Sequence, residues 1–164
     1  MTSGKSFQVT PYGQNRYNIT QPVDFEVGVN YSGALMAIAG ADGELAEAEL
    51  QWYIDEQEML LVESEEKKEY IEALRQFDWK NANVEELLTG LKYDFPLNFR
   101  RSMLYQAIKM CRADGNYHEK EKASVAKAAE ILGIERSVAA SLESLAEMED
   151  SADRLRVALF ETEV

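Results

Sequence analysis

A nine-residue acidic phrase occurs twice in the chain, 72 residues apart, and it governs most of what the chain can fold into. The first copy is Ala41-Asp42-Gly43-Glu44-Leu45-Ala46-Glu47-Ala48-Glu49, and the second is Ala113-Asp114-Gly115-Asn116-Tyr117-His118-Glu119-Lys120-Glu121. Asp, Gly and two Glu recur at the same offsets, with an apolar residue, Leu45 or Tyr117, at the same place between them. Each copy follows an apolar stretch of helical spacing, Gly33 to Ala41 or Met103 to Ala113, and precedes another helical stretch. Each therefore reads as a helix, an Asp-Gly turn and a helix. Repetition of such a unit implies a fold of two related halves.

Helical periodicity begins near Val27 and persists to the end of the chain. Helices are expected over 27–41, 46–62, 64–77 with Ser64 as cap, and 83–91 from a capping box at Asn83 and Glu86. Three more are expected over 96–114, opened by Pro96, over 119–132, stopped by Gly133, and over 135–160 with a break near Asp150 and Ser151. No segment sustains β alternation, so the expected fold is all-α, a compact bundle of about seven helices. Residues 1–25 carry Pro11, Gly13, Asn15, Asn18 and Pro22 and read as an irregular N-terminal arm, leaving 26–164 as the helical domain. Trp52, Trp79 and the methionines are assigned to packing.

The net charge of -13 argues against nucleic-acid binding, which needs clustered Lys and Arg on the phosphates. Twelve acids lie between Asp42 and Glu72 against two lysines, Lys67 and Lys68, so this stretch is either a solvated helix surface or one that attracts cations or a basic partner. Gly33 to Ala41 is the longest nearly unbroken apolar run and is too short to insert in a membrane. Met1 to Gln14 lacks the apolar core of a signal peptide, and Cys111 has no second cysteine to pair with, so the expected location is cytoplasmic. Cys111 lies in an apolar stripe and reads as a small buried hydrophobe.

Two chemistries fit the repeated turn. A calcium-binding loop shares its tail, with Asp42, Gly43 and Glu49 or Asp114, Gly115 and Glu121 at the required spacing. The head fails, because Ile38, Gly40, Met110 and Arg112 occupy the first ligand positions, so neither copy is an EF-hand. Helix capping accounts for the same residues without a ligand. With Ala46 and His118 as N-caps, Glu49 and Glu121 fall where a carboxylate bonds back to the cap N–H, and Glu47 and Glu119 fall in the first turn. Capping does not explain why two copies should converge, and if the turns meet in space their carboxylates need a cation, a proton or a basic partner. His118, the sole histidine, is a further metal-ligand candidate that would move the ion from calcium toward zinc or manganese. No Ser-His-Asp order, nucleophile elbow or phosphate loop occurs, and one His cannot supply the paired Glu-x-x-His of a di-iron bundle, so no enzyme is expected.

The duplicated Ala-Asp-Gly-x-apolar-x-Glu-x-Glu phrase resembles the TerB-like family of tellurite-resistance proteins, which is also similar to the N-terminal domain of DjlA co-chaperones. The resemblance rests on Leu35 to Glu49 and Ala107 to Gly133, more loosely on Leu142 to Phe160, and leaves the arm outside. It implies an all-helical domain of two pseudo-symmetric halves that binds a divalent cation, calcium, manganese or zinc. It also implies a cytoplasmic role in tellurite or other chemical stress, with protein partners near a membrane-associated complex. By position, the implied metal-binding acids are Asp42, Glu47, Glu49, Asp114, Glu119 and Glu121. The second copy departs from the family pattern at Asn116, where the first has Glu44, and at His118. The competing expectation is an acidic protein–protein interaction module in which the turns are caps and no metal binds.

Overall fold

The computed structural model describes residues 4–94 and 96–161. Among them the order is β1 (Ser6–Phe7), α1 (Pro11–Tyr17), β2 (Val23–Asp24), α2 (Phe25–Ala39), α3 (Glu47–Leu60), α4 (Glu65–Gln76), a 3-10 turn (Trp79–Asn81), α5 (Val84–Asp94), α6 (Leu97–Arg112), α7 (Glu119–Ile131) and α8 (Arg136–Phe160). The fold is all-α, and each expected helix is present with its ends shifted by a few residues.

Two helices take the centre because their sequences leave them little solvent face. In α2 every residue from Ser32 to Ala39 is buried, and in α6 every residue from Met103 to Cys111 is buried. A helix apolar on all sides needs neighbours on all sides. α2 packs against α4, α5, α6 and α7, and α6 packs against α2, α3, α7 and α8. Small residues on α2 permit the close approach. A Cβ added at Gly33 would overlap the ring of Phe77, and one at Gly40 would overlap the ring of Trp79.

The two halves, α2-turn-α3 and α6-turn-α7, are exchanged across the core. α3 leaves the first turn and packs on α6, while α7 leaves the second and packs on α2. That crossing sets the C-terminal ends of α2 and α6, and the turns that follow them, beside each other.

The arm is more ordered than its composition suggests. Thr10 caps α1 by accepting from Gly13 N at 3.2 Å, with Pro11 at the first helical position, and Asn18 closes the helix at φ 54°. β1 and β2 pair antiparallel with Ser6 opposite Asp24 and Phe7 opposite Val23, and Val9 bridges to Leu61. Phe7, Tyr17 and Ile19 are buried in the common core. The Tyr12 and Tyr17 hydroxyls donate to Glu56 Oε1 at 2.9 and 2.7 Å, which fastens the arm to α3.

The expected break at Asp150 does not occur, and α8 runs through it. The Asp150 carboxylate is engaged by another helix, accepting from Lys109 Nζ at 2.6 Å and Arg112 Nε at 2.7 Å, so it does not compete for its own backbone. Burial would raise this carboxyl, but Lys109 and Arg112 outweigh it and hold it below its ordinary value. Beyond Asp150 every described residue of α8 is exposed.

Candidate metal centre

The two turns have the same local construction. Gly43 and Gly115 adopt φ of 99° and 80°, where a side chain is strained. Asp42 Oδ1 accepts from Glu44 N at 3.1 Å and Asp114 Oδ1 from Asn116 N at 2.8 Å, closing equivalent Asx turns. The capping expectation holds in both copies. Glu49 Oε1 accepts from Ala46 N at 2.8 Å, and Glu121 Oε1 accepts from His118 N at 3.0 Å. Neither Ala46 nor His118 returns a side-chain bond, so only the glutamate half of each capping box is made.

Capping consumes one oxygen of each glutamate, and the helix exchange brings the two carboxylates together. Glu49, Glu121 and Cys111 are buried, and one ligand atom from each lies within 4.8 Å of the others. Asp42, His118 and Glu121 form a second such group toward solvent, with His118 Nε2 3.4 Å from Asp42 Oδ2. Glu121 belongs to both. The arrangement is crosswise, since Asp42 of the first turn sits with Glu121 of the second while Asp114 of the second acts on Glu49 of the first.

Glu49 Oε2 and Glu121 Oε2 are buried without a hydrogen-bond partner. Two carboxylates at such separation cannot both ionise cheaply in a dry site. Burial, followed by the adjacent Glu121 carboxyl, pushes Glu49 up to about 9, against the lowering effect of the Ala46 N–H. At neutral pH the pair therefore holds a proton. The Cys111 thiol is raised by burial and then by the charges of Glu121 and Glu49, so it too is protonated. Two orphaned oxygens and a thiol converging in a buried site form a donor set that suits a divalent cation. A thiol among oxygens favours a borderline-soft ion such as zinc over calcium.

The other implied ligands stand apart from this buried set. Glu47 is exposed in the first turn of α3, and Glu119 is exposed and pairs with Lys122 at 3.4 Å. Asp114 is exposed and contributes through its charge. His118 lies at the rim, with Asn116 Nδ2 3.2 Å from its Nε2. Cys111 went unrecognised as a donor because it lies within an apolar stripe, where thiols usually pack. Its position three residues before Asp114 was the available signal, and the first copy has Ala39 there.

A family model described as tellurite resistance protein TerB matches residues 34–144, a span that holds both turns and Cys111. The fold is also similar to the crystal structure of a tellurite resistance protein from Nostoc punctiforme. That protein is 25% identical, with 93% of this chain and 92% of that chain covered at a TM-score of 0.68. No curated protein matches the chain.

Proposed function

This chain belongs to the TerB family of tellurite resistance proteins, and from that premise we propose that it is a non-enzymatic, cytoplasmic helical domain that binds one divalent cation where its two turns meet. The observation that carries the reading is the pair of buried, unpartnered oxygens, Glu49 Oε2 and Glu121 Oε2, beside Cys111. Glu49, Glu121 and Cys111 would hold the ion, and Asp42 and His118 would close the solvent side. A bound cation supplies the positive charge that the pair otherwise obtains from a proton. Binding therefore releases protons, from the glutamate pair and from the thiol. A reducing cytoplasm keeps that thiol available as a ligand. Membership in a tellurite-resistance family supports a role in chemical-stress response, with protein partners reading the metal-loaded state.

Isothermal titration with zinc, manganese and calcium tests this. Zinc is expected to bind tightest and calcium weakest, with a heat that changes with the ionisation enthalpy of the buffer as protons are released. Glu49→Gln plus Glu121→Gln keeps an acceptor for each cap and should abolish binding. Absence of binding by all three ions, or equal binding after the double substitution, sinks the proposal.

A second reading is favoured by a separate observation. Of the twelve acids between Asp42 and Glu72, only Glu49 and Glu56 are buried, and Glu47, Asp55, Glu58, Glu65, Glu66 and Glu69 are among those on the surface. Such a face would recruit a basic partner by an attraction that falls with salt and ignores chelator. Pull-downs with chelator and with raised salt separate the two readings.

A further inference from the structure

A cavity of about 290 Å³ lies toward the opposite end of α2 from the two turns, where the N-terminal segment folds over α2, α3 and α6. Six elements each give it one aromatic ring, from Phe7, Tyr17, Tyr31, Tyr53, Tyr70 and Phe99. The exposed Gln21 and Pro22 form part of its rim. Among the described residues no Lys, Arg or His lines it. Its one carboxylate, Asp24, is engaged in capping α2, with Oδ2 accepting from Val27 N at 3.1 Å. An apolar cavity of this size without a countercharge suits a neutral small molecule.

The polar side chains of the wall are mostly satisfied within the protein, and Gln57 is the one that is not. Gln57 is 5% exposed, and its Oε1 accepts from the Tyr70 hydroxyl at 2.9 Å. Tyr70 has a single proton to give, so Ser32 donates to Tyr70 at 2.7 Å and Tyr53 in turn donates to Ser32 at 2.8 Å. That chain of hydroxyls fixes which end of the amide is oxygen. Nε2, the other end, has no hydrogen-bond partner among the described residues. By contrast, Gln106 Oε1 is taken by Tyr31 at 2.6 Å, and the Ser102 hydroxyl donates to Asn98 O at 3.0 Å. An amide N–H held in a buried wall without a partner carries a desolvation cost that an acceptor on a ligand removes.

We propose that this cavity binds a small, neutral, flat apolar molecule carrying one hydrogen-bond acceptor, with its rings against the aromatic wall and its acceptor on Gln57 Nε2. The rings supply the affinity, by apolar burial and by offset or edge-on packing, and Gln57 sets the orientation. A protein cavity of roughly 150 Å³ holds one benzene, so the volume here matches a molecule of about two fused rings. An anion of the same shape is rejected, because it would give up its hydration with no cation on the wall to replace it. The cavity shares no residue with the Glu49, Cys111 and Glu121 group, so its ligand and the proposed ion are independent.

Isothermal titration of the full chain in chelator, with 2-acetylnaphthalene as the probe, should give a dissociation constant of about 10–100 µM. 2-Naphthoate, the same rings bearing a charge, should bind about 10-fold more weakly or worse. Gln57→Leu should weaken 2-acetylnaphthalene by about 10-fold and leave naphthalene, which has no acceptor, within about two-fold. Because Gln57→Leu also removes the acceptor of Tyr70, a second variant tests the volume alone. Val27→Trp, at a half-buried position on the wall, should abolish binding of both neutral probes by filling the cavity, with the helical circular dichroism unchanged. No binding of 2-acetylnaphthalene by the wild-type chain up to about 1 mM overturns the proposal, as does binding that survives Val27→Trp. 2-Naphthoate binding as tightly as the ketone overturns the neutral class of ligand, and an equal loss of both neutral probes in Gln57→Leu overturns the anchoring role of Gln57.

Discussion

Glu49 uses one oxygen for capping and leaves the other unpartnered, which makes capping compatible with the proposed ion. Oε1 closes the start of α3 by accepting from Ala46 N, while Oε2 is buried without a partner in a carboxylate that groups with Glu121 and Cys111. The proton on Glu49 has a thermodynamic consequence. A carboxyl raised from an ordinary 4.5 to about 9 keeps its proton in the folded state where the unfolded chain has lost it. Its contribution to stability is complete below pH 4.5 and is lost as pH rises toward 9. Urea unfolding in chelator should therefore show the wild-type chain losing stability against Glu49→Gln across this interval, by a few kcal/mol at the alkaline end. Parallel profiles would mean that the pair is not protonated. On the proposed reading, Cys111 would select the ion. Cys111→Ala should weaken zinc by about 10- to 100-fold in a calorimetric titration and manganese much less, because only zinc gains from a sulfur ligand. An equal loss for both ions would reduce Cys111 to packing.

At the level of the elements, the turns depend on backbone and the central helices on packing. A Cβ at Gly43 or Gly115 meets nothing within 4 Å, so alanine there costs only the left-handed conformation, about 1–2 kcal/mol at each turn by chemical unfolding. Gly40→Ala should cost more, about 2–3 kcal/mol, because its methyl overlaps the Trp79 ring. If Gly43→Ala proves as costly as Gly40→Ala, the turn carries contacts beyond its conformation. The helices were legible in the sequence because periodicity, Ser64, Pro96 and Gly133 mark them locally. α1 was missed although Thr10 and Pro11 form an N-terminus, since Gly13 and Asn15 lower the propensity of so short a segment. The expected break near Asp150 and Ser151 is absent because the Asp150 side chain bridges to Lys109 and Arg112, which no local pattern marks. The candidate site was half legible. Its acids are visible as a repeat, but the meeting of Glu49 with Glu121 depends on α3 crossing to α6 and α7 crossing to α2, which no local pattern encodes.

Across the whole molecule the candidate centre joins both halves. Its buried donors come from α3, α6 and α7, so an ion held there would tie the first repeat to the second. Binding to the folded state alone stabilises by about 2.7 kcal/mol at a free concentration 100-fold above the dissociation constant. For a chain of this size each kcal/mol moves the melting temperature by about 2–4 °C, so saturating zinc should raise it by roughly 5–10 °C and chelator should reverse the rise. Glu49→Gln plus Glu121→Gln should remove the shift.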